Sequence, residues 1–187
     1  ADTVASTALY SSILIGAILI IFAAVFLRPI LIFLGATETI MPYALIYGRI
    51  YILSCIFNVF NVTMNNIVAS EGAAETTMCA LLSGAVINIG LDPLFIYTFH
   101  MEVAGAAIAT AISQFISTLV YLSYVLRKKS AFTFSINAFA PTKEIFTEIL
   151  KIGIPTLTFQ LLTSLSIALI NRASNGYGDA VIAGMGA

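Results

Sequence analysis

Five long apolar stretches constrain the fold of this chain more than any other feature of its sequence. Their approximate bounds are 6–27, 45–69, 77–99, 103–126 and 152–174, and an α-helix needs roughly 20 such residues to cross a bilayer. Of the 187 residues, 60% are hydrophobic and 9% are charged, a balance unlike that of soluble domains. Because lipid cannot satisfy backbone polar groups, the sequence predicts an all-α, polytopic transmembrane helix bundle, multi-pass in the cell membrane.

The distribution of charges orients the spans and excludes some functions. The connection between the fourth and fifth spans carries five basic side chains, against three on the opposite side, so the positive-inside rule places it in the cytoplasm. With a net charge of −1 and no basic face, no nucleic-acid partner is expected. Cys55 and Cys79 lie singly in apolar stretches and are interpreted as small hydrophobic residues, not as metal ligands.

One acidic residue lies deep inside an apolar stretch. Asp92 is the only charge of the third span, and Asn88 lies one helical turn before it on the same face. Pro93 has no N–H and its ring crowds the carbonyl of Ile89, so a kink is expected there. Intramembrane acids are functional by default, so Asp92 is interpreted as a group that exchanges a proton or ligates Na⁺. The alternative is a structural acid that caps the kink.

Three spans carry a stripe of polar residues along one helical face. The stripes consist of Ser54, Asn58, Asn61 and Asn65 in the second span, Thr110, Gln114, Ser117 and Tyr121 in the fourth, and Gln160, Ser164 and Asn171 in the fifth. Such stripes surround a space wetter than lipid, or they bond packed helices to each other. Three stripes beside an intramembrane acid favour a cavity for a small organic substrate. The residues predicted to line it are Asn58, Asn61, Gln114 and Gln160.

Six short motifs follow one another along the chain. They are Leu34-Gly-Ala-Thr, Ser70-Glu-Gly, Asn88-Ile-Gly-Leu-Asp-Pro-Leu-Phe-Ile, Val103-Ala-Gly-Ala-Ala-Ile-Ala-Thr, Gly153-Ile-Pro and Ile170-Asn-Arg. In this order they resemble the multidrug and toxic compound extrusion (MATE) family of cation-coupled efflux transporters. The third motif followed by the fourth at this distance is the specific part of the resemblance.

The resemblance implies twelve spans in two six-helix lobes, of which this chain would supply spans three to seven as an incomplete bundle. Residues 1–126 would form four helices of the first lobe. Residues 127–151 would be a cytoplasmic connection with an amphipathic helix, and 152–187 would hold the first helix of the second lobe and the start of the next. The first two spans and the last five would lie outside this sequence.

The resemblance also implies a site. Prokaryotic members build a cation or proton site from an acid on the first span, an Asn and an Asp on the fifth and a Thr on the sixth. Asn88, Asp92 and Thr110 match the last three, whereas the first-span acid lies outside this sequence. Where some members have a coupling acid in the seventh span, this chain has Gln160 and Thr163.

The expected function is a cation-coupled antiporter that exports organic or drug-like compounds by alternating access. Na⁺ or H⁺ would be the coupling ion, no other cofactor is expected, and the remainder of the transporter would be a necessary partner. The alternatives are a lipid-linked precursor flippase of the same superfamily and a non-transporting helical membrane subunit or scaffold. An enzyme is not expected. The GxGD pattern at Gly176–Asp179, which intramembrane aspartyl proteases use, lies at the end of a span, where Gly and Asp suit a turn.

Overall fold

Helices account for all regular structure in residues 2–127 and 142–174, the part of the chain that the computed structural model describes. They are α1 (Asp2–Val25), α2 (Leu27–Phe33), α3 (Met41–Ser70), α4 (Ala74–Pro93), a π-helical turn (Leu94–Thr98), α5 (Glu102–Leu126) and α6 (Lys143–Ser174). Within these residues, five segments are long and apolar enough to span a membrane: Thr3–Val25, Met41–Ser70, Ala74–Thr98, Glu102–Leu126 and Thr147–Ala173. They correspond to the five apolar stretches of the sequence, so the prediction of an all-α, polytopic membrane protein is confirmed.

The helices group into two compact units. Of the described residues, the first contains 2–24 and 46–127, and the second contains Val25–Leu45 and 142–174. In the first unit, four helices share a buried cluster that consists of Ala5, Leu9, Met64, Ile67, Val68, Ala80, Tyr121 and Tyr124. In the second, the left-handed Gly35 (φ 94°) lies against α6. The predicted assignment of residues to two lobes stays a prediction, and the structure adds that α2 groups with α6.

A left-handed glycine ends α3. Gly72 has a φ of 80°, and its N–H bonds the carbonyl oxygen of Ala69 at 3.0 Å. The N–H of Ala73 bonds the carbonyl oxygen of Val68 at 3.2 Å in the same turn. A glycine in this conformation satisfies the last carbonyls of a helix without a steric penalty from Cβ. The motif Ser70-Glu-Gly thus lies at the turn between α3 and α4.

The helical ladder changes directly after Pro93. The α-helical bonding of α4 ends at this residue, and the π-helical turn that follows bonds the N–H of Phe99 to the carbonyl oxygen of Leu94 at 3.1 Å. Pro93 has no N–H to offer the carbonyl of Ile89, so the regular ladder loses a bond where the sequence predicts a kink. The π-helical turn, which has a wider hydrogen-bonding pattern, begins at Leu94, directly after Asp92 and Pro93.

The last helix is continuous where the sequence predicts two elements. A short amphipathic helix was expected up to Lys151, with a separate span from Ile152, but α6 runs unbroken from Lys143 to Ser174. Pro155 only removes the bond to the carbonyl of Lys151, a loss that transmembrane helices tolerate. The stretch 128–141 of the predicted connection lies outside the described residues.

Gly105 allows α5 to approach the π-helical turn closely. A Cβ on Gly105 would lie 2.9 Å from Cβ of Phe95 and 3.0–3.1 Å from the carbonyl carbon and oxygen of the same residue. The obstacle includes backbone, so a rotamer change cannot remove it. Small residues permit such close approach of helices in membranes.

We therefore expect Gly105→Ala to lower the free energy of unfolding by about 1–3 kcal/mol, the usual cost of overpacking. The measurement is the thermal midpoint of the detergent-purified protein. Gly90→Ala is the matched control, because a Cβ at Gly90 of α4 would meet nothing within 4 Å. A Gly105→Ala midpoint equal to or above that of Gly90→Ala would contradict the proposed tight packing.

Candidate functional site

A cavity of about 420 Å³ lies between α3, α4 and α5 of the first unit, and polar side chains of all three helices form part of its wall. Its size is within the range of small-molecule sites. Five of the seven residues predicted for the cation site or the substrate cavity lie on its wall: Asn58, Asn61, Asn88, Thr110 and Gln114. The structure thus brings part of the set predicted for a cation and part of the set predicted for a substrate into one space, whereas Asp92 and Gln160 are not on this wall. Their roles stay predictions.

The side chain of Asn61 joins α3 to α5. Its Nδ2 donates to the backbone carbonyl oxygen of Gln114 at 2.8 Å and to the Oε1 atom of the same residue at 2.9 Å. Its Oδ1 accepts a hydrogen bond from the Thr118 hydroxyl at 2.9 Å. The buried amide therefore has partners for its oxygen and for its nitrogen, and all of them belong to α5.

A second bond between the stripes lies about one helical turn further along α3. Asn65 Nδ2 donates to the hydroxyl oxygen of Tyr121 at 2.9 Å, and the Tyr121 side chain is almost fully buried. The stripes of α3 and α5 thus bond to each other as well as lining the cavity. By contrast, Asn58 and Asn66 line the cavity without a side-chain hydrogen bond to any other described residue.

Three hydroxyls of the wall direct their protons away from the cavity. Thr110 and Ser113 donate to carbonyl oxygens one turn earlier in α5, at 2.9 and 2.7 Å. Ser117 donates to the carbonyl oxygen of Ala80 in α4 at 2.9 Å. A hydroxyl has one proton, so each of these oxygens can only accept from a further partner. This part of the wall therefore suits a cation or a hydrogen-bond donor.

Asp92 lies beside the cavity and is connected to it through Asn88. The residue is half-buried, and its Oδ1 lies 3.5 Å from Nδ2 of Asn88, a long hydrogen bond. Among the described residues, no other side chain bonds its carboxylate. If Asn88 keeps its amide nitrogen toward Asp92, its Oδ1 is the end left for an occupant. Asp92, Asn88 and Thr110 then offer oxygen atoms, the ligands that hard cations prefer.

Gln160 is the one predicted cavity residue in the second unit. It lies on α6, where its side chain is exposed, whereas the wall of the cavity described above consists of first-unit residues. Thr163, on the same helix, donates to the carbonyl oxygen of Phe159 at 2.9 Å. The substrate-binding role predicted for Gln160 stays a prediction.

Sequence reasoning missed three residues of the site: Asn66, Ser113 and Thr118. Thr118 lies four residues after Gln114 on the same helical face, a spacing that could have identified it. Gly84 is a further contributor, since a Cβ at this position would collide with the Oγ of Ser117. Only a glycine leaves room for the bond from Ser117 to α4. In the described residues, no cluster of three or more His, Cys, Asp or Glu could hold a metal ion.

Comparisons with known proteins identify the family of the chain. The family model described as MatE matches residues 1–94. The chain is 32% identical over 183 residues to the multidrug export protein MepA of Staphylococcus saprophyticus, and 33% identical to that of Staphylococcus haemolyticus. Both alignments cover 98% of this chain, and they cover 41% and 40% of the relatives. The chain thus spans about two fifths of the length of these curated proteins.

Solved structures agree with the sequence comparison. An inward-facing multidrug resistance MATE family transporter of the MOP superfamily superposes with a TM-score of 0.80 at 31% identity, over 92% of this chain and 38% of that one. A MATE structure in the bent conformation gives 0.82 at 30% identity, over 98% and 41%. An outward-facing MATE family transporter gives 0.78 at 32% identity, over 86% and 36%.

The five candidate spans define a multi-pass membrane protein. The chain belongs to the MatE family. Its relatives are multidrug efflux transporters and not enzymes. The GxGD pattern at Gly176–Asp179, which raised the protease alternative, lies outside the described residues.

The bonds of Asn61 lead to a stability prediction. Asn61→Leu should lower the free energy of unfolding by about 1–2 kcal/mol, since polar contacts between membrane helices contribute up to about 1.7 kcal/mol. The thermal midpoint in detergent measures this loss. Asn66→Leu is the matched control, because Asn66 has no side-chain hydrogen bond to another described residue. Equal midpoints for the two variants would show that the Asn61 bonds do not hold α3 to α5.

Proposed function

We propose that this protein acts in the export of organic compounds coupled to Na⁺ or H⁺, and that the first-unit cavity holds both the cation and the compound. The observation that carries the proposal is the composition of the cavity wall. The hydroxyls of Thr110, Ser113 and Ser117 donate hydrogen bonds to backbone carbonyls, and the carboxylate of Asp92 lies next to Asn88. A wall of oxygen lone pairs beside an acid is suited to a cation.

The coupling that we propose follows from shared residues. Asn88 and Thr110 belong to the predicted cation set, and both line the cavity that would receive the organic compound. If the two ligands use common side chains, binding of one lowers the affinity for the other, and the effect is reciprocal. An antiporter requires this kind of competition, because each ligand must displace the other at opposite membrane faces. Neutralisation of Asp92 by a proton or Na⁺ would carry the electrostatic part of the effect.

The comparisons support the proposal in two ways. The curated relatives are called multidrug export proteins, which favours an organic substrate. The similar solved structures include inward-facing and outward-facing conformations, which favours alternating access between the two membrane faces. The substrate, the coupling ion and the transport cycle of this protein belong to the proposal.

The flippase alternative is less well supported. A lipid-linked precursor carries phosphates, and a cavity that holds phosphates needs cationic side chains or helix N-termini. The residues that line the described cavity include no Lys or Arg. Their hydroxyls also expose lone pairs, which repel phosphate oxygens. The cavity wall therefore favours cationic or neutral compounds.

The scaffold alternative has one observation in its favour. Asn61 and Asn65 bond directly to α5, as expected if the polar stripes serve only to hold helices together. A scaffold does not, however, account for Asp92, whose carboxylate has Asn88 as its one side-chain partner among the described residues. The two functions make opposite predictions for the charge of Asp92.

Asp92→Asn should reduce the initial rate of cation-driven dye efflux at least about tenfold, because the amide neither titrates nor balances a cation's charge. The assay uses cells or vesicles that contain the protein from its complete reading frame, with membrane levels measured in parallel. Glu38→Gln is the matched control, since Glu38 is an exposed acid outside the helices. Undiminished efflux by Asp92→Asn would refute coupling at this residue and favour the scaffold.

Thr110→Val should raise the cation concentration for half-maximal efflux about tenfold, which corresponds to about 1.4 kcal/mol. The substitution keeps the side-chain shape but removes the oxygen that faces the cavity. Thr110→Ser retains that oxygen and should behave like wild type within about twofold. If the valine and serine variants share one cation dependence, Thr110 is not a cation ligand.

A further inference from the structure

The amide of Gln114 has a fixed orientation on the cavity wall. We propose that Gln114 is a specificity-determining residue, whose Nε2 donates a hydrogen bond to a carbonyl or carboxylate oxygen of the compound in the cavity. The inference rests on the proposed function, because it assumes that the cavity receives an organic compound. It adds which atom recognises that compound and which chemical group is recognised.

The orientation follows from hydrogen-bond chemistry alone. A backbone carbonyl oxygen can only accept, so the Asn61 side-chain atom 2.8 Å from the Gln114 carbonyl must be its nitrogen. That nitrogen can only donate, so the Gln114 side-chain atom 2.9 Å away must be the oxygen Oε1. The Nε2 of Gln114 is therefore the end of the amide left for an occupant of the cavity.

Thr118 holds this arrangement in place. Its hydroxyl donates to Asn61 Oδ1 at 2.9 Å and also lies 2.9 Å from the Gln114 carbonyl oxygen. Rotating the Asn61 amide by half a turn would place its oxygen against the Gln114 carbonyl, and two acceptors would then face each other. The Gln114 backbone carbonyl thus fixes the orientation of the Asn61 amide, which in turn fixes the orientation of the Gln114 side-chain amide. Thr118 supports this arrangement and is a positioning residue.

The donor of Gln114 differs from its neighbours on the wall. Thr110, Ser113 and Ser117 present lone pairs, because their protons are bonded to backbone carbonyls. Asn58 has no such bond among the described residues and can turn either end of its amide to the cavity. Gln114 therefore supplies a hydrogen-bond donor of fixed direction, whereas the neighbouring hydroxyls are acceptors and the Asn58 amide can present either end.

A fixed donor discriminates between compounds. One with a suitably placed carbonyl or carboxylate satisfies Nε2, whereas one without an acceptor leaves this group unpaired when it displaces water. Sites built around a hydrogen bond reject analogues that lack the partner group more strongly than apolar pockets reject analogues of different size. We therefore expect Gln114 to raise the affinity for an aromatic cation that carries a carbonyl oxygen but not for a similar cation without oxygen.

The test measures binding, so that it does not depend on transport. Rhodamine 6G carries an ester carbonyl and ethidium contains no oxygen, and the fluorescence polarisation of each dye reports its Kd for the detergent-purified protein. Gln114→Met retains the side-chain length and removes the donor. It should raise the Kd of rhodamine 6G about five- to tenfold, the loss of one hydrogen bond, and change that of ethidium less than twofold. Leu119→Met, at an exposed position of α5, is the matched control and should leave both Kd values unchanged.

A second pair of variants tests the positioning role. Thr118→Val removes the hydroxyl that fixes Asn61 and should raise the Kd of rhodamine 6G two- to fivefold, whereas Thr118→Ser should restore the wild-type value. Ethidium binding serves as the check that each variant is folded. Equal losses for both dyes in Gln114→Met, or no rhodamine 6G binding by the wild type, would overturn the inference. Failure of cation-driven efflux with the dye selectivity intact would instead overturn the proposed function.

Discussion

The buried amide of Asn61 is the interaction on which the first-unit cavity depends. Within lipid an amide without partners is costly, and this one finds all of its partners on α5. The bonds therefore hold α3 beside α5 at the depth where the cavity lies. The same bonds fix which end of the neighbouring Gln114 amide is left free, so one contact sets both the spacing and the polarity of the site.

The surroundings of this contact follow the rules of a bundle in lipid. Large apolar side chains are exposed along the spans, for example Leu53 on α3 and Ile89 on α4, while the buried positions of α5 hold small residues such as Ala107 and Ala109. The hydrophobic effect does not drive helices together in a bilayer, so close packing and interhelical hydrogen bonds must do so. Gly105 and Gly84 are consistent with this constraint, because each leaves space that a neighbour occupies. The polar stripes and the small residues are thus two parts of one packing solution.

The sequence allowed prediction of the spans and of much of the cavity wall for a simple reason. Length and hydropathy determine spans, and a helical spacing of three or four residues places Asn58, Asn61 and Asn65 on one face whatever the neighbours are. The pairing of that face with the stripe of α5 could not be derived from periodicity, because it depends on helix order and rotation. The spacing of Thr118 places it on the face of Gln114, but its bond to Asn61 could not be derived, for the same reason. The continuity of α6 could not be derived from the sequence, because the amphipathic pattern before Ile152 differs from that of the span even though one helix carries both.

A polar stripe on a membrane helix can contribute to helix packing and to a ligand site at the same time. Asn61 and Asn65 donate hydrogen bonds to α5, and the hydroxyls of Thr110, Ser113 and Ser117 donate to backbone carbonyls. The bonds of Asn61, Asn65 and Ser117 join neighbouring helices, whereas those of Thr110 and Ser113 lie within α5. The hydroxyl bonds leave lone pairs on the cavity wall, because each hydroxyl has only one proton to donate. In the proposed function, the preference of the cavity for cations would then follow in part from the bonds that the helices already make. A substitution that loosens the packing should then change ligand preference as well, which is why binding and stability have to be measured on the same variants.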